Sequence, residues 1–558
     1  MATDRIEQAQ RLLRRSSTAL GERTSASRVK EPLLSVLTLA RRGVVRPMRP
    51  DKLIRIARAY MRWGVTPPLG YAVGAVRHPD RPAVIDDRGA LSYAEIEHRT
   101  TRMARGLLER GVTSTSRVGV LCRNHHGPVE AMLACSKVGA DAVLINTGLT
   151  SQQVSKVLTE QGVGLLIADS EFAESAELGD VELVLSWTEG TTTHTTLEHL
   201  IGSSSARALP KPPRHARMIV LTSGTTGAPK GARRPDPPGL SAPATILDRV
   251  PLRSGERILL PAPIFHTWGL AAFQLGAVLG ATLVLPRKFE PQQALARLQR
   301  HRCTSMFVAP VMLQRILEIP EDVRRRYDLG SLRVVTCSGS ALGSELAERF
   351  QRAFGPVLYN FYGSTEASWV SIATPEDLRR EPGTSGRAPR GTTLRILDET
   401  GDPVRPGELG RIFVGNDMLF DGYTNGSGKE TVDGLMSTGD LGHLDSAGRL
   451  FIAGREDDMI VSGGENVYPK ETEEAIAALP GVTEVAVVGV DDSEFGRRLA
   501  AYVVARPQAH LDADTVREHV RGKLSKFARP RDVVFLDELP RNATGKVVPA
   551  RLPDPGEL

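Results

Sequence analysis

Met218-Ile-Val-Leu-Thr222-Ser-Gly-Thr-Thr-Gly-Ala-Pro-Lys230-Gly-Ala232 is the stretch on which the reading of this chain turns. Its apolar start reads as a buried strand that runs straight into a loop of small, hydroxylated and glycine residues with one lysine. Gly224, Gly227 and Gly231 let the backbone come close to a ligand; Ser223, Thr225 and Thr226 add hydroxyl groups, and Lys230 adds a point charge. Successive backbone N–H groups in such a loop make a nest suited to a polyphosphate. The spacing is not that of a Walker A loop, because Lys230 follows a proline and precedes a glycine. On residue types alone, a solvated Ser/Thr/Gly loop is the competing reading.

Outward from this loop, apolar and polar runs alternate. Ala83–Asp86, Val118–Leu121, Ala142–Ile145 and Val163–Ala168 read as strands, with helices over Val129–Val138 and Ser151–Gln161 between them. Leu91-Ser-Tyr-Ala-Glu-Ile opens a further helix, with Ser92 as N-cap and Glu95 completing a capping box. The stretch Glu189–Arg214, rich in Thr, Ser and Pro, reads as loose. After the loop the rhythm returns through Phe361, as stacked βαβ units require. From Thr392 to Ile452 the texture changes to short β segments, and a last α+β unit follows Arg455. The expected division is a basic extension over 1–70, a large α/β domain over 71–455 and a small mobile α+β domain over 456–558.

At 558 residues the chain exceeds one core, and its 41% hydrophobic and 24% charged content is that of a globular enzyme. Four scattered cysteines, Cys122, Cys135, Cys303 and Cys337, contain no CxxC pair, so a disulfide framework or metal cluster is not expected and a reducing cytoplasm is. No apolar run reaches transmembrane length, and arginines at 11, 14 and 15 interrupt any signal-peptide core. The net charge is +6, but residues 1–70 hold fifteen Lys/Arg against five Asp/Glu, so the rest is net acidic. The basic pI therefore gives no argument for nucleic-acid binding. Between Pro32 and Trp63, apolar residues at helical spacing alternate with arginines. One reading is a peripheral anchor over residues 30–65 on the inner face of an anionic membrane, with Trp63 interfacial. The other is a helix pair packed on the main domain with its arginines in water.

Further strings sit at strand ends, where open α/β sheets gather their ligands. They are Pro263-Ile-Phe-His266-Thr-Trp268-Gly269, Ser338-Gly339-Ser340-Ala-Leu342 and Asn360-Phe-Tyr362-Gly363-Ser364-Thr365-Glu366. Ser437-Thr-Gly-Asp440 and Gly454-Arg455-Glu-Asp457 follow, then Val461-Ser-Gly463-Gly464-Glu and Leu539-Pro-Arg-Asn-Ala-Thr-Gly-Lys546.

Together with Thr222–Gly231, these strings in this order resemble the acyl-adenylate-forming superfamily, of the fatty-acid or long-chain acyl-CoA synthetase type. The resemblance spans roughly residues 75–550 and leaves the N-terminal segment without a counterpart. It implies an AMP-forming acid–thiol ligase that uses ATP, Mg²⁺ and coenzyme A on a carboxylic acid, most simply a medium- to long-chain fatty acid. Residues Thr222–Gly227, Lys230, Ser338–Ser340 and Asn360–Ser364 would then bind ATP and AMP, with Tyr362 against adenine and Asp440 and Arg455 on the ribose. Thr365 would contact the α-phosphate, and Thr225 and Glu366 would hold Mg²⁺. His266, where related amino-acid-activating domains carry aspartate, implies a plain carboxylic acid; Trp268 and Gly269 would line its acyl pocket. Asp457 would be the hinge, Gly463 and Gly464 the coenzyme A channel, and Lys546 the lysine that bridges carboxylate and α-phosphate. Two alternatives stand beside this: loading of a carrier protein, and a non-catalytic membrane-surface protein. Oligomeric state has no signature in the sequence.

Overall fold

The computed structural model describes residues 25–173, 178–205, 207–222, 230–234, 239–462, 465–492, 496–507, 509–524 and 528–555. Two large sheets carry the main body. One has eight strands, ordered Ser371–Ala373, Leu358–Tyr362, Val334–Cys337, Ser305–Val308, Arg257–Leu259, Thr282–Val284, Pro82–Asp86 and Gly89–Ser92. It is parallel throughout except at its two edges. The other has six strands, ordered Glu182–Trp187, Leu165–Asp169, Arg117–Leu121, Asp141–Leu144, Met218–Thr222 and Lys230–Arg233, with only the last pair antiparallel. Central strands such as Asp141–Leu144, Ser305–Val308 and Val334–Cys337 are buried along their whole length. Helices cover both faces of a parallel sheet, so its strands read as continuous rather than alternating apolar runs.

Five short strands between Thr393 and Arg455 form the expected β subdomain, an antiparallel sheet. The change of sheet falls between Arg455 and Ile460. The strands Ile460–Ser462, Glu465–Val467, Val482–Asp492, Gly496–Ala505 and Asp532–Phe535 make a separate mixed sheet with the helices Pro469–Ala477 and Ala513–Arg521. Ser92 and Glu95 form the predicted reciprocal cap: Glu95 N donates to Ser92 Oγ at 3.2 Å and Ser92 N to Glu95 Oε2 at 2.7 Å.

One expectation is refined and two are corrected. The stretch 189–214 is irregular over most of its described length, as expected, but it also holds a helix, Leu197–Ser203, whose N-cap Thr196 accepts from His199 N at 3.1 Å. The boundary placed at residue 70 cuts through a helix, Pro67–Arg77, whose residues Tyr71, Ala72 and Val76 are buried against the main body. Trp63 is not interfacial. It ends the Pro50–Trp63 helix pointing inward, 6% exposed, with the Arg62 guanidinium 4.7 Å and the buried Lys137 ammonium 5.9 Å from its ring. All four cysteines are free and buried, and no helix among the described residues is long and apolar enough to cross a membrane.

Candidate active site

A cavity of about 1640 Å³ lies where the main body, the β subdomain and the small C-terminal unit meet. Its walls bring together Lys230, His266, Trp268, Ser338–Ser340, Asn360, Tyr362–Glu366, Asp440, Arg455, Asp457 and Lys546. These residues come from strand ends and turns far apart in the sequence, and the topology collects them at one edge.

Asp440 and Arg455 sit opposite one another on paired antiparallel strands, which explains their fifteen-residue separation. The Tyr362 hydroxyl donates to Asp440 Oδ2 at 2.5 Å. Burial raises the Asp440 carboxyl above its ordinary range, against the opposing pull of Tyr362, Arg455, Lys429 and Lys546. Burial beside that carboxylate also pushes the Tyr362 phenol well up, so Tyr362 stays a donor. On the other side, Tyr423 donates to Glu366 Oε1 at 2.7 Å. Thr365 and Thr267 share a hydroxyl hydrogen bond of 2.8 Å.

His266 caps the Thr267–Leu279 helix, its Nδ1 accepting from Trp268 N at 3.3 Å. Burial, assisted by the nearby Lys546 charge, lowers its pKa to about 4, so the ring is neutral at physiological pH. Trp268 anchors on the Val308 carbonyl at 3.1 Å and packs on Phe307 and Phe361 at centroid distances of 5.3 and 5.0 Å.

Lys546 arrives on a tight turn. Asn542 Oδ1 accepts from Thr544 N, Thr544 Oγ1 and Lys546 N at 3.0, 2.7 and 3.0 Å, and Arg541 donates to the Gly545 carbonyl at 2.7 Å. Gly545 has φ +86°, and a Cβ there would lie 2.6 Å from Val311 of the main body, so only glycine fits. Arg541 is in turn tied to Glu484 at 2.8 Å. The Lys546 side chain lines the cavity and remains solvent-accessible. Desolvation there, with Arg455 nearby, lowers its pKa from the usual lysine value, and Asp440 and Glu366 pull it back up.

Gly269 does not reach the cavity. A Cβ at that position would lie 2.1 Å from the Pro263 carbonyl oxygen, so its lack of a side chain serves helix packing. The apolar wall is formed instead by Trp268, Ala271, Leu275 and Val278 along the same helix. Thr222 pairs across the hairpin with Lys230, while Ser223, Gly224, Thr225, Thr226, Gly227, Gly463 and Gly464 lie outside the described residues. Asp457 sits in the turn between the two sheets, 3.4 Å from Arg455 Nη2, and is exposed.

The structure adds residues that the motifs did not indicate. Arg234, two residues past the loop hairpin, lines the cavity and donates to Ser368 Oγ. Burial lowers its pKa to about 10 while the Glu366 charge opposes the shift, so it remains a cation facing Glu366. Tyr423 and Thr267 fix Glu366 and Thr365. Each stands outside a motif string or inside one without a distinctive residue type, and only the folded chain reveals them.

An α/β body of two parallel sheets, with a small C-terminal unit that delivers a lysine to a cleft of carboxylates and hydroxyls, has the architecture of an adenylate-forming enzyme. The profile of the AMP-binding enzymes matches residues 72–424, and that of the AMP-binding enzyme C-terminal domain matches residues 471–546. An indoleacetate–CoA ligase of Aromatoleum aromaticum is 33% identical over 85% of this chain and 93% of its own length. A feruloyl-CoA synthase of an Amycolatopsis species is 32% identical over 84% of this chain and 95% of its own. The o-succinylbenzoate CoA synthetase of Bacillus subtilis, solved with its acyl-adenylate intermediate, superposes with a TM-score of 0.75. It is 27% identical over 87% of this chain and 98% of that one. The chain belongs to the AMP-binding enzyme family.

Proposed function

We propose that the protein is an AMP-forming acid–thiol ligase for a carboxylic acid with a long apolar tail, a medium- to long-chain fatty acid. The observation that carries the reaction is Lys546 held in the cleft with Glu366, Asp440, Arg455 and a neutral His266. In the first half-reaction a carboxylate oxygen attacks the α-phosphorus of ATP. A P–O bond forms to the acyl group, the P–O bond to the leaving group breaks, and pyrophosphate departs with the electron pair. Negative charge that spreads over carboxylate and phosphate is met by Lys546 and Arg234, already oriented, which is the main source of acceleration in such a site. Thr365, positioned by Thr267, donates to an α-phosphate oxygen. Asp440 and Arg455 hold the ribose hydroxyls, and Tyr362 packs against the adenine.

Mg²⁺, for which the Glu366 carboxylate supplies the hard oxygen such an ion prefers, neutralises phosphate charge when bound. Tyr423 fixes that carboxylate facing the cavity, which fits this use. In the second half-reaction the coenzyme A thiol attacks the acyl carbon and AMP leaves. Lys546 must then withdraw. A rotation of the C-terminal unit about Asp457 is the simplest way for it to do so and to open a channel at Gly463 and Gly464.

The long apolar tail is supported by the wall of Ala271, Leu275 and Val278 leading away from His266. A second reading, an aromatic acid, is favoured by the Trp268, Phe307 and Phe361 cluster beside His266 and by the substrates named for the relatives. ATP–pyrophosphate exchange against acetate, hexanoate, laurate, palmitate, phenylacetate and ferulate separates them. Exchange with laurate or palmitate, and an acyl-CoA product once coenzyme A is added, is expected. Exchange confined to the aryl acids overturns the fatty-acid reading, and exchange without a coenzyme A product points to a carrier protein as acceptor.

A further inference from the structure

The N-terminal segment lies outside the matched family region, which begins at residue 72, yet it walls the same cavity as the catalytic residues. Two helix faces lead to it from the reaction centre. On the Thr267–Leu279 helix, Ala271, Leu275 and Val278 line the cavity at helical spacing, so the lined stripe reaches about 18 Å from His266 at 1.5 Å per residue. The Pro67–Arg77 helix crosses it closely: a Cβ on Gly70 would lie 2.4 Å from the Ala277 carbonyl oxygen. Its Gly70, Val73 and Arg77 line the cavity too. At the far end stand Val45, Leu53 and Tyr60, which line the cavity and are nevertheless 47%, 46% and 55% exposed. Residues that are both wall and surface mark an opening.

The surface around that opening is apolar and cationic. Ile54 and Met61, next to Leu53 and Tyr60 on the Pro50–Trp63 helix, are exposed without lining the cavity. Residues 41–62 carry eight Lys/Arg against the single Asp51. Arg41, Arg49, Arg55 and Arg58 are exposed among the apolar side chains. An amphipathic helix with that pairing of apolar and basic side chains matches an anionic bilayer in both polarity and charge. The segment is anchored to the body as a rigid rim would be: Arg42 donates to the Leu247 carbonyl at 2.8 Å and Arg77 to the Val44 carbonyl at 3.0 Å.

We propose that the segment Val44–Trp63, with its helix Pro50–Trp63, forms a membrane-facing port through which a long-chain carboxylic acid passes from an anionic bilayer into the acyl end of the cavity. This rests on the fatty-acid reading above and adds the route by which the substrate arrives. An acid partitioned into a bilayer enters without its tail crossing water, and its carboxylate comes to rest at His266 and Lys546.

The test uses the full chain with vesicles of phosphatidylcholine alone or mixed with phosphatidylglycerol. Wild type should sediment with the mixed vesicles and release as salt rises. The variant I54D/M61D should bind them at least about tenfold more weakly. Its kcat/KM for vesicle-borne palmitate should fall by a similar factor, while kcat/KM for hexanoate in water is kept. Arg55→Glu with Arg58→Glu, which changes charge without touching the apolar residues, should give the same split. Absence of wild-type binding, binding unaltered in both variants, or equal loss on both acids in both variants overturns the port. Failure of the wild type to activate any fatty acid in detergent would instead count against the proposed substrate.

Discussion

The two ends of the cavity are built on opposite plans. At the nucleotide end nearly every polar side chain is held by a named partner: Asp440 by Tyr362, Glu366 by Tyr423, Thr365 by Thr267, and the Lys546 turn by Asn542. At the proposed acyl end the apolar walls are helix faces, with Val73, Ala271, Leu275 and Val278 among them. Polar preorganisation fixes where charge develops and therefore sets the rate. Apolar lining fixes how much tail is buried and therefore sets which acid is chosen. Substitutions at the two ends should thus fail in different ways.

The largest effect should come from Lys546→Ala. Adenylation, read as ATP–pyrophosphate exchange, should fall roughly 10²–10³-fold, as when one preorganised charge-stabilising donor is removed. Thioester formation from supplied acyl-AMP should be largely kept, because on the proposed mechanism the lysine acts only in the first half-reaction. Equal loss of both steps would show that Lys546 holds the lid together rather than the transition state.

The same residue predicts a pH signature. Its pKa is lowered, so its positive charge is lost as pH rises through a value below that of an ordinary lysine. Adenylation should decline on that alkaline limb while thioester formation from acyl-AMP does not, and Lys546→Arg should move the limb upward. His266, neutral above about pH 4, should contribute no ionisation to the neutral range. An alkaline limb shared by both half-reactions would assign it to another group.

Next in size is Val73→Trp, which places a large ring on the apolar wall far from the nucleotide. Activity on palmitate should fall at least about tenfold relative to hexanoate, the scale on which apolar pockets discriminate. Exchange with short acids should be unaltered. Uniform loss across acids would mean that the Pro67–Arg77 helix supports the whole site and not only its acyl end.

The polar end was largely legible in the sequence because its chemistry demands particular residue types in short strings. Asp440 and Arg455, Glu366 and Lys546 all stand in the cavity where the motifs implied. The acyl end was not legible in the same way. Any apolar side chain on the right helix face will serve, so Ala271, Val73 and Leu53 are indistinguishable in sequence from ordinary core residues. The N-terminal helices show this from both sides: their periodicity was readable, but the inward turn of Trp63 depends on Lys137 and on a body 70 residues and more away in sequence. Arg234 and Tyr423 were missed for a related reason, since their partners Ser368 and Glu366 are brought to them only by the fold.

Gly269 gives the smallest effect and the finest division between the two plans. Its place in the string Phe-His-Thr-Trp-Gly suggested a pocket wall, whereas the structure buries it against the Pro263 carbonyl, beside His266 but off the cavity. Gly269→Ala would need the helix start to move by about an ångström, from 2.1 Å to an ordinary contact, against backbone that cannot swing aside. Overpacking of this kind costs about 1–3 kcal/mol. Thermal or urea unfolding should therefore show lower stability, with the order of preference among hexanoate, laurate and palmitate unchanged. A pocket wall would behave in the opposite sense: an added methyl would leave stability intact and shift preference toward shorter or narrower acids, because it would take up volume meant for the tail. The measurement thus asks whether Gly269 belongs to the scaffold that positions His266 or to the surface that lines the cavity, and the 2.1 Å approach to Pro263 predicts the scaffold.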